Sequence, residues 1–235
     1  MNRQLHPLEI NPKTGEPFLR LLSHPNIILT PPRLDDAPQL MAILNDERVY
    51  HWLSSPPVPY TQEHADWWLN HIKPPSDKFL AELEEARDDP TLKIVDECPV
   101  RYIREVKEDG TEVFLGDIWI DLAGQPWELE GSGKTSQSKP LRDPNDPDIW
   151  TVGDYLAPSH HGQGIMSDAF KTVLQQWAIP RMGVRRMAVT ALDGNKGSVR
   201  VFEKLGFKFR ETIQDALDVR GTKRGVHVLD WRLEE

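Results

Sequence analysis

Thr151-Val152-Gly153-Asp154-Tyr155-Leu156, then Ala157-Pro158-Ser159, then His160-His161-Gly162-Gln163-Gly164-Ile165-Met166, and on to Trp177-Ala178, is the stretch from which the rest of the chain is best read. The β-branched and aromatic residues of Thr151 to Leu156 predict a short strand, and Ala157-Pro158 stops it. From Ile165 onward the apolar residues fall at Met166, Ala169, Phe170, Val173, Leu174 and Trp177, the spacing of a helix with one buried face. Gly162 and Gly164 stand where that helix begins, so its N–H groups and positive dipole end lie on a backbone with little side-chain bulk. Such a turn suits an anion. A tight connection that uses glycine only for its φ freedom is the plainer alternative.

A second block follows. Arg186 to Leu192 reads as a strand, Asp193-Gly194-Asn195 as a turn, and Ser198 to Leu205 as a helix closed by Gly206 and followed by Phe207. Taken together the two blocks resemble the GNAT superfamily of acetyl-CoA-dependent N-acetyltransferases, nearest to its Rim-type branch of ribosomal-protein acetyltransferases. The first block matches the family's Arg/Gln-x-x-Gly-x-Gly/Ala pyrophosphate turn, and the second its Asn-x-x-Ser/Ala-x-x-x-Tyr/Phe-x-x-x-Gly-Phe helix. Three positions depart from the commoner pattern. His161 stands for Arg or Gln, Met166 for a small residue, and Phe202 for the Tyr with which many members protonate the departing thiolate.

The resemblance implies an α/β fold: a mixed, mostly antiparallel sheet of six or seven strands flanked by helices and splayed between strand four, Trp150–Leu156, and strand five, Arg186–Leu192. The N-acetyltransferase domain would cover residues 27–235 after an N-terminal arm, 1–26. Acetyl-CoA would be the cosubstrate, its pyrophosphate on the backbone of Gly162, Gln163, Gly164, Ile165 and Met166 with His161 as a donor. Its pantetheine arm would pair with Leu156 and Ala157, and Asn195, Ser198 and Phe202 would meet the cofactor from the second motif. The acceptor would be an amine, on a small molecule or a protein, with Trp52 and Tyr60 as candidate pocket residues.

Attack by an amine needs a base. Asp154 is the first candidate, because it shares a strand face with Val152 and Leu156, where apolar surroundings would raise its pKa. Its alternative is an ion pair with a neighbouring arginine. Asp117 is the second candidate; with Trp119 and Asp121 it alternates away from Gly116, Ile118, Ile120 and Leu122, so Trp119 and Asp121 are candidate acceptor contacts. The competing function is a regulatory module that binds acyl-CoA without efficient catalysis.

The remaining sequence sets limits. A net charge of −9 argues against nucleic acid as partner, and it is uneven: residues 160–235 hold 13 Lys and Arg against 9 Asp and Glu, leaving −13 on residues 1–159. No run of 18 apolar residues and no apolar leader predict a soluble, cytoplasmic protein without a membrane partner, as monomer or homodimer. Cys98 is the single cysteine, so no internal disulfide forms. His64 and His71 lie two helical turns apart, which predicts no shared metal. Helices are expected over 37–44 and 62–72, a hairpin from 100–106 and 113–121, and a last antiparallel pair from 207–218 and 226–233. The Gly- and Pro-rich residues 123–148 read as a flexible insertion.

Overall fold

The computed structural model of the chain describes residues 2–123 and 149–234. Proline and polar residues break the N-terminal arm into two short strands, β1 (Glu9–Ile10) and β2 (Pro17–Arg20). Next come β3 (Ile27–Thr30), buried along its whole length, then α1 (Ala37–Leu44) and α2 (Glu47–Tyr50). Asp46 caps α2, its carboxylate accepting the Arg48 N–H at 2.9 Å.

Helix α3 (Gln62–Glu85) is longer than the sequence predicts, for it runs on through Pro74 and Pro75 rather than ending near Ile72. Each proline removes a donor. The helix persists because its buried stripe continues unbroken through Ala65, Leu69, Ile72, Ser76, Phe79 and Leu83. The expected hairpin is β4 (Tyr102–Val106) and β5 (Glu112–Leu122), turning at Gly110 with φ +82°. Then come β6 (Ile149–Leu156), α4 (Ile165–Val173) with a π turn over Leu174–Ala178, α5 (Ile179–Met182), β7 (Arg186–Leu192), α6 (Lys196–Glu203), β8 (Lys208–Val219) and β9 (Thr222–Arg232).

The strands form one sheet in the order β1-β2-β3-β4-β5-β6-β7-β9-β8. Among the described residues it has nine strands where six or seven are expected, because the arm joins the sheet instead of lying apart from it. Buried polar contacts hold the arm there: Arg33 pairs with Glu16 and Glu112, and Arg181, stacked on Trp177 at 4.7 Å, donates to the carbonyls of Gln4 and His6. Every neighbouring pair is antiparallel except β6 and β7. That parallel contact is brief, Ile149 to Arg186 and Trp150 to Met187, after which the two strands diverge. β7 keeps its other edge on β9 throughout, so the divergence opens a cleft beside β6 from Thr151 onward.

The expected insertion lies, from residue 124 to 148, outside the described residues; the Ala123 N–H donates to the Ile149 carbonyl at 2.8 Å where β5 and β6 meet. Among the described residues no helix is long and apolar enough to cross a membrane.

Candidate active site

Hydrogen-bond parity decides which part of β6 faces the cleft. Ala123 N–H bonds to Ile149 O and Ala157 N–H to Leu115 O, so the odd-numbered residues of β6 bond to β5. The N–H and C=O groups of Val152 and Asp154 and the Leu156 N–H therefore point the other way, into the splay, while the Leu156 carbonyl is taken by His161. This leaves an open strand edge for an extended ligand. Ala157 does not belong to that edge, since its amide is already spent on Leu115.

At the end of the edge the chain turns through Gly162 and Gly164, with φ of +75° and +83°. Both conformations favour glycine, and around Gly162 there is open space where a side chain would sit. Gly164 is the N-cap of α4 and offers no side-chain cap, so the first N–H groups of the helix face the cleft without a protein side chain over them. The turn is braced from three sides. His161 Nε2–H donates to Leu156 O at 2.7 Å, the Gln163 amide donates to Ser159 O at 3.0 Å, and His24 lies against the Gln163 carbonyl through Nε2 at 3.2 Å. His24 is fixed in turn by Asp168 of α4, 2.7 Å from its Nδ1, and Asp168 also accepts the Ser23 N–H at 2.8 Å.

The cleft, of about 860 Å³, joins this turn to Asp154. Among the described residues the Asp154 carboxylate has no hydrogen-bond or ion-pair partner, and burial pushes it up to about 6, with the charge of nearby Asp117 adding to the shift. The arginine ion pair expected as the alternative for Asp154 forms instead at Asp117. Arg101 grips Asp117 with two bonds of 2.8 Å and stacks between Trp68 at 5.5 Å and Trp119 at 5.0 Å. Asp117 is fully buried and sits opposite Tyr155, on the other face of the sheet from Asp154.

The acetyltransferase (GNAT) domain family matches residues 26–208. The chain belongs to this family. Solved structures share the GNAT fold at low identity: RimJ of Mycobacterium smegmatis in complex with CoA-disulfide, 18% identical with a TM-score of 0.58 over 92% of this chain and 86% of that one, is one of them. Another is a GNAT-family acetyltransferase from Bacillus anthracis, 13% identical, TM-score 0.62, over 93% and 99%. A third is the ribosomal-protein-S5-alanine acetyltransferase of Vibrio fischeri, 16% identical, TM-score 0.57, over 92% and 97%. A search of curated proteins found no match.

The GNAT cleft gathers many of the sequence-derived candidates. Leu156, His161, Gly162, Gly164, Ile165, Met166, Asn195 and Ser198 all line it, as do Trp52, Trp119 and Asp154. Asn195 caps α6, its side-chain oxygen accepting the Ser198 N–H at 3.1 Å, which holds the second motif in place. His161 faces Leu156 O through Nε2, so that nitrogen braces the turn and is not a donor into the cleft.

Six candidates do not line it: Asp117, Ala157 and Gln163, whose contacts are given above, and three more. Phe202 is packed in the core, its ring centroid 6.0 Å from that of Phe170 and 5.5 Å from that of Phe207, and cannot touch a ligand in the cleft. Tyr60 is buried, with its hydroxyl donating to His64 O at 3.3 Å and its backbone held by the Asn45 side chain. Asp121 turns its carboxylate to the Leu122 N–H at 2.7 Å and lies outside the cleft lining.

The sequence reading also missed residues. Gly153 lies directly opposite Trp119, and a Cβ there would come within 2.0 Å of the indole; a glycine inside a strand is the signal for such an approach. His24 carries no local signal at all, since its contacts are made 139 and 144 residues away.

The Asp117 pairing has a testable consequence. Asp117→Ala leaves Arg101 buried without its counter-charge, and should cost about 3–5 kcal/mol of stability, read from the urea midpoint. A variant that kept native stability but lost activity would return Asp117 to the list of catalytic candidates.

Proposed function

We propose that the chain transfers an acetyl group from acetyl-CoA to a primary amine by direct attack, with both substrates bound together. One observation carries the reading: a single cleft joins a helix N-terminus free of capping side chains to an unpaired, desolvated carboxylate, with an open strand edge between them. The residues present fit an acyl-CoA. Backbone N–H groups from Gly162 to Met166 suit the pyrophosphate as an anion nest. The β6 edge at Val152, Asp154 and Leu156 suits the amides of an extended arm. Lys196, Arg200 and Lys204, spaced four apart along and just beyond α6, put positive charge on the cleft wall for the remaining phosphate.

The cosubstrate supplies an acyl group activated as a thioester. A protonated amine has no lone pair, so Asp154 takes its proton, directly or through water, and the neutral nitrogen attacks the carbonyl carbon. A β6 backbone N–H stabilises the oxygen as charge gathers there. The new C–N bond forms as the C–S bond breaks, the nitrogen releases its second proton to solvent, and the sulfur leaves as a thiolate that takes its proton from solvent, since Phe202 has no hydroxyl and is buried.

The buried Phe202 also keeps a second reading alive, an acyl-CoA-binding module with little turnover. The test is acetyl-CoA titration by calorimetry together with amine-dependent release of free thiol. Saturable binding with amine-dependent release is the expected result. Binding without release under a broad amine panel selects the module, and no binding removes both readings.

A further inference from the structure

The cleft has a lopsided chemistry. Among the described lining residues Asp154 is the single acid, although the whole chain carries −9; of the lining cations, Lys196, Arg200 and Lys204 fall to the phosphate, and Arg48 is paired with Asp46. Other acids near this region are engaged outside the lining. Asp46 is bound to Arg48 at 2.6 Å, Asp193 faces His227 at 3.1 Å, and Asp218 accepts the Gly221 N–H at 2.8 Å. The wall beyond Asp154 is apolar: Trp52 and Leu53 after α2, Leu217 of β8 and Val226 of β9, with Trp119 beneath.

That wall is built rather than incidental. Trp52 packs with Leu217 and Val226, and Arg220 in the β8–β9 turn donates to the carbonyls of Tyr50 and Leu53 at 2.9 and 3.0 Å, tying the two sides together. Nor do the indoles form a cage for a cation. Trp119 has Arg101 at 5.0 Å on its ring and Gly153 against it, and Trp52 has Arg224 at 5.7 Å.

We propose that the acceptor is a primary monoamine whose amine-bearing carbon carries an aliphatic or aromatic body, and that polyamines are rejected. The proposal rests on the acetyl-transfer reading. One ammonium has one place to go, next to Asp154. A second would be desolvated among Trp52, Leu53, Leu217 and Val226 with no carboxylate among the described lining residues to meet it. Hydroxyl-rich amino sugars fare little better, because the side chains of Leu53, Leu217 and Val226 offer no hydrogen-bond partner to a ring hydroxyl.

The same chemistry can come from a free amine or from the first residue of a peptide, and the test separates them. Acetyl-CoA is first titrated into the 235-residue chain. Thiol release is then compared for phenethylamine, a short peptide beginning with leucine, putrescine, spermidine and glucosamine. The expected kcat/KM for phenethylamine or the peptide exceeds that for either polyamine by about tenfold or more, and the better of the two identifies the source. Equal or better turnover of a polyamine or glucosamine overturns the proposal while leaving acetyl transfer intact. If acetyl-CoA binds and no amine reacts, tryptophan fluorescence of the CoA-loaded protein decides, and absence of saturable phenethylamine binding overturns it. If acetyl-CoA does not bind, the reading beneath it fails first.

A gain of function completes the test. Leu217→Glu places a second carboxylate on the wall, and should raise kcat/KM for putrescine by about fivefold or more over Leu217→Gln, with both variants checked for a native melting transition. No difference between the two variants would show that the wall does not read the second charge.

Discussion

Asp154→Asn should lower turnover by about 10²–10³-fold while leaving acetyl-CoA affinity within about twofold. The substitution keeps size and shape and removes only the ability to accept a proton. It also has a pH signature. Burial raises the Asp154 carboxyl to about 6, so below that pH the group is protonated and idle, and above it the group is ready. The wild-type kcat should climb as pH rises through this value and the variant should lose that limb, keeping only the dependence contributed by the amine itself. Steady-state kinetics from pH 5 to 9 make the comparison. If the variant instead raised KM with kcat intact, Asp154 would be an anchor for the ammonium rather than its base.

Gly164→Glu should weaken acetyl-CoA binding by about 100-fold or more, from two effects that a control separates. The residue has φ +83°, so any side chain strains the turn, by about 1 kcal/mol. A carboxylate also lies against the phosphates, where like charges a few ångströms apart repel by several kcal/mol at an effective dielectric of about 20. Gly164→Ala carries only the strain, and should lose about fivefold to tenfold in affinity. Calorimetry at two salt concentrations reads both, since the excess loss in the Glu variant should shrink as salt screens it. Equal affinities for wild type and the Glu variant would place the phosphates elsewhere.

Much of this site was legible because its signals are local. The change from strand alternation at Thr151–Leu156 to helical spacing from Ile165, with glycines at the junction, is written in consecutive residues, and the structure puts β6, the turn and α4 there. The same holds for Asn195, whose capping of α6 needs a partner only three residues away. What was not legible depends on partners far along the chain. Asp117 and Asp154 look alike as acids on neighbouring strands. Which of them receives Arg101 is set by the register of β4, β5 and β6, and that register leaves one neutralised and the other alone.

Longer reach explains the other differences. The arm looked like an appendage because prolines interrupt it, yet its strands are short enough to fit between them and its ends are anchored by Arg33 and Arg181. Tyr60 looked like a pocket aromatic, but it is buried, its hydroxyl on His64 O and its backbone held by Asn45 fifteen residues away. Phe202 fitted a motif position, and packing against Phe170 and Phe207 decided its side chain's direction.

The contact between Gly153 and Trp119 reaches beyond this one molecule. An indole occupies the volume that any side chain at 153 would require, so neither position can drift alone. Descendants of this sequence that gain a larger residue at 153 must first or simultaneously lose bulk at 119, and doing so withdraws one of the two rings that flank Arg101 and a part of the cleft lining. A reshaping of the cleft by this route is therefore a paired step, since either change made alone leaves the contact overfilled or hollow.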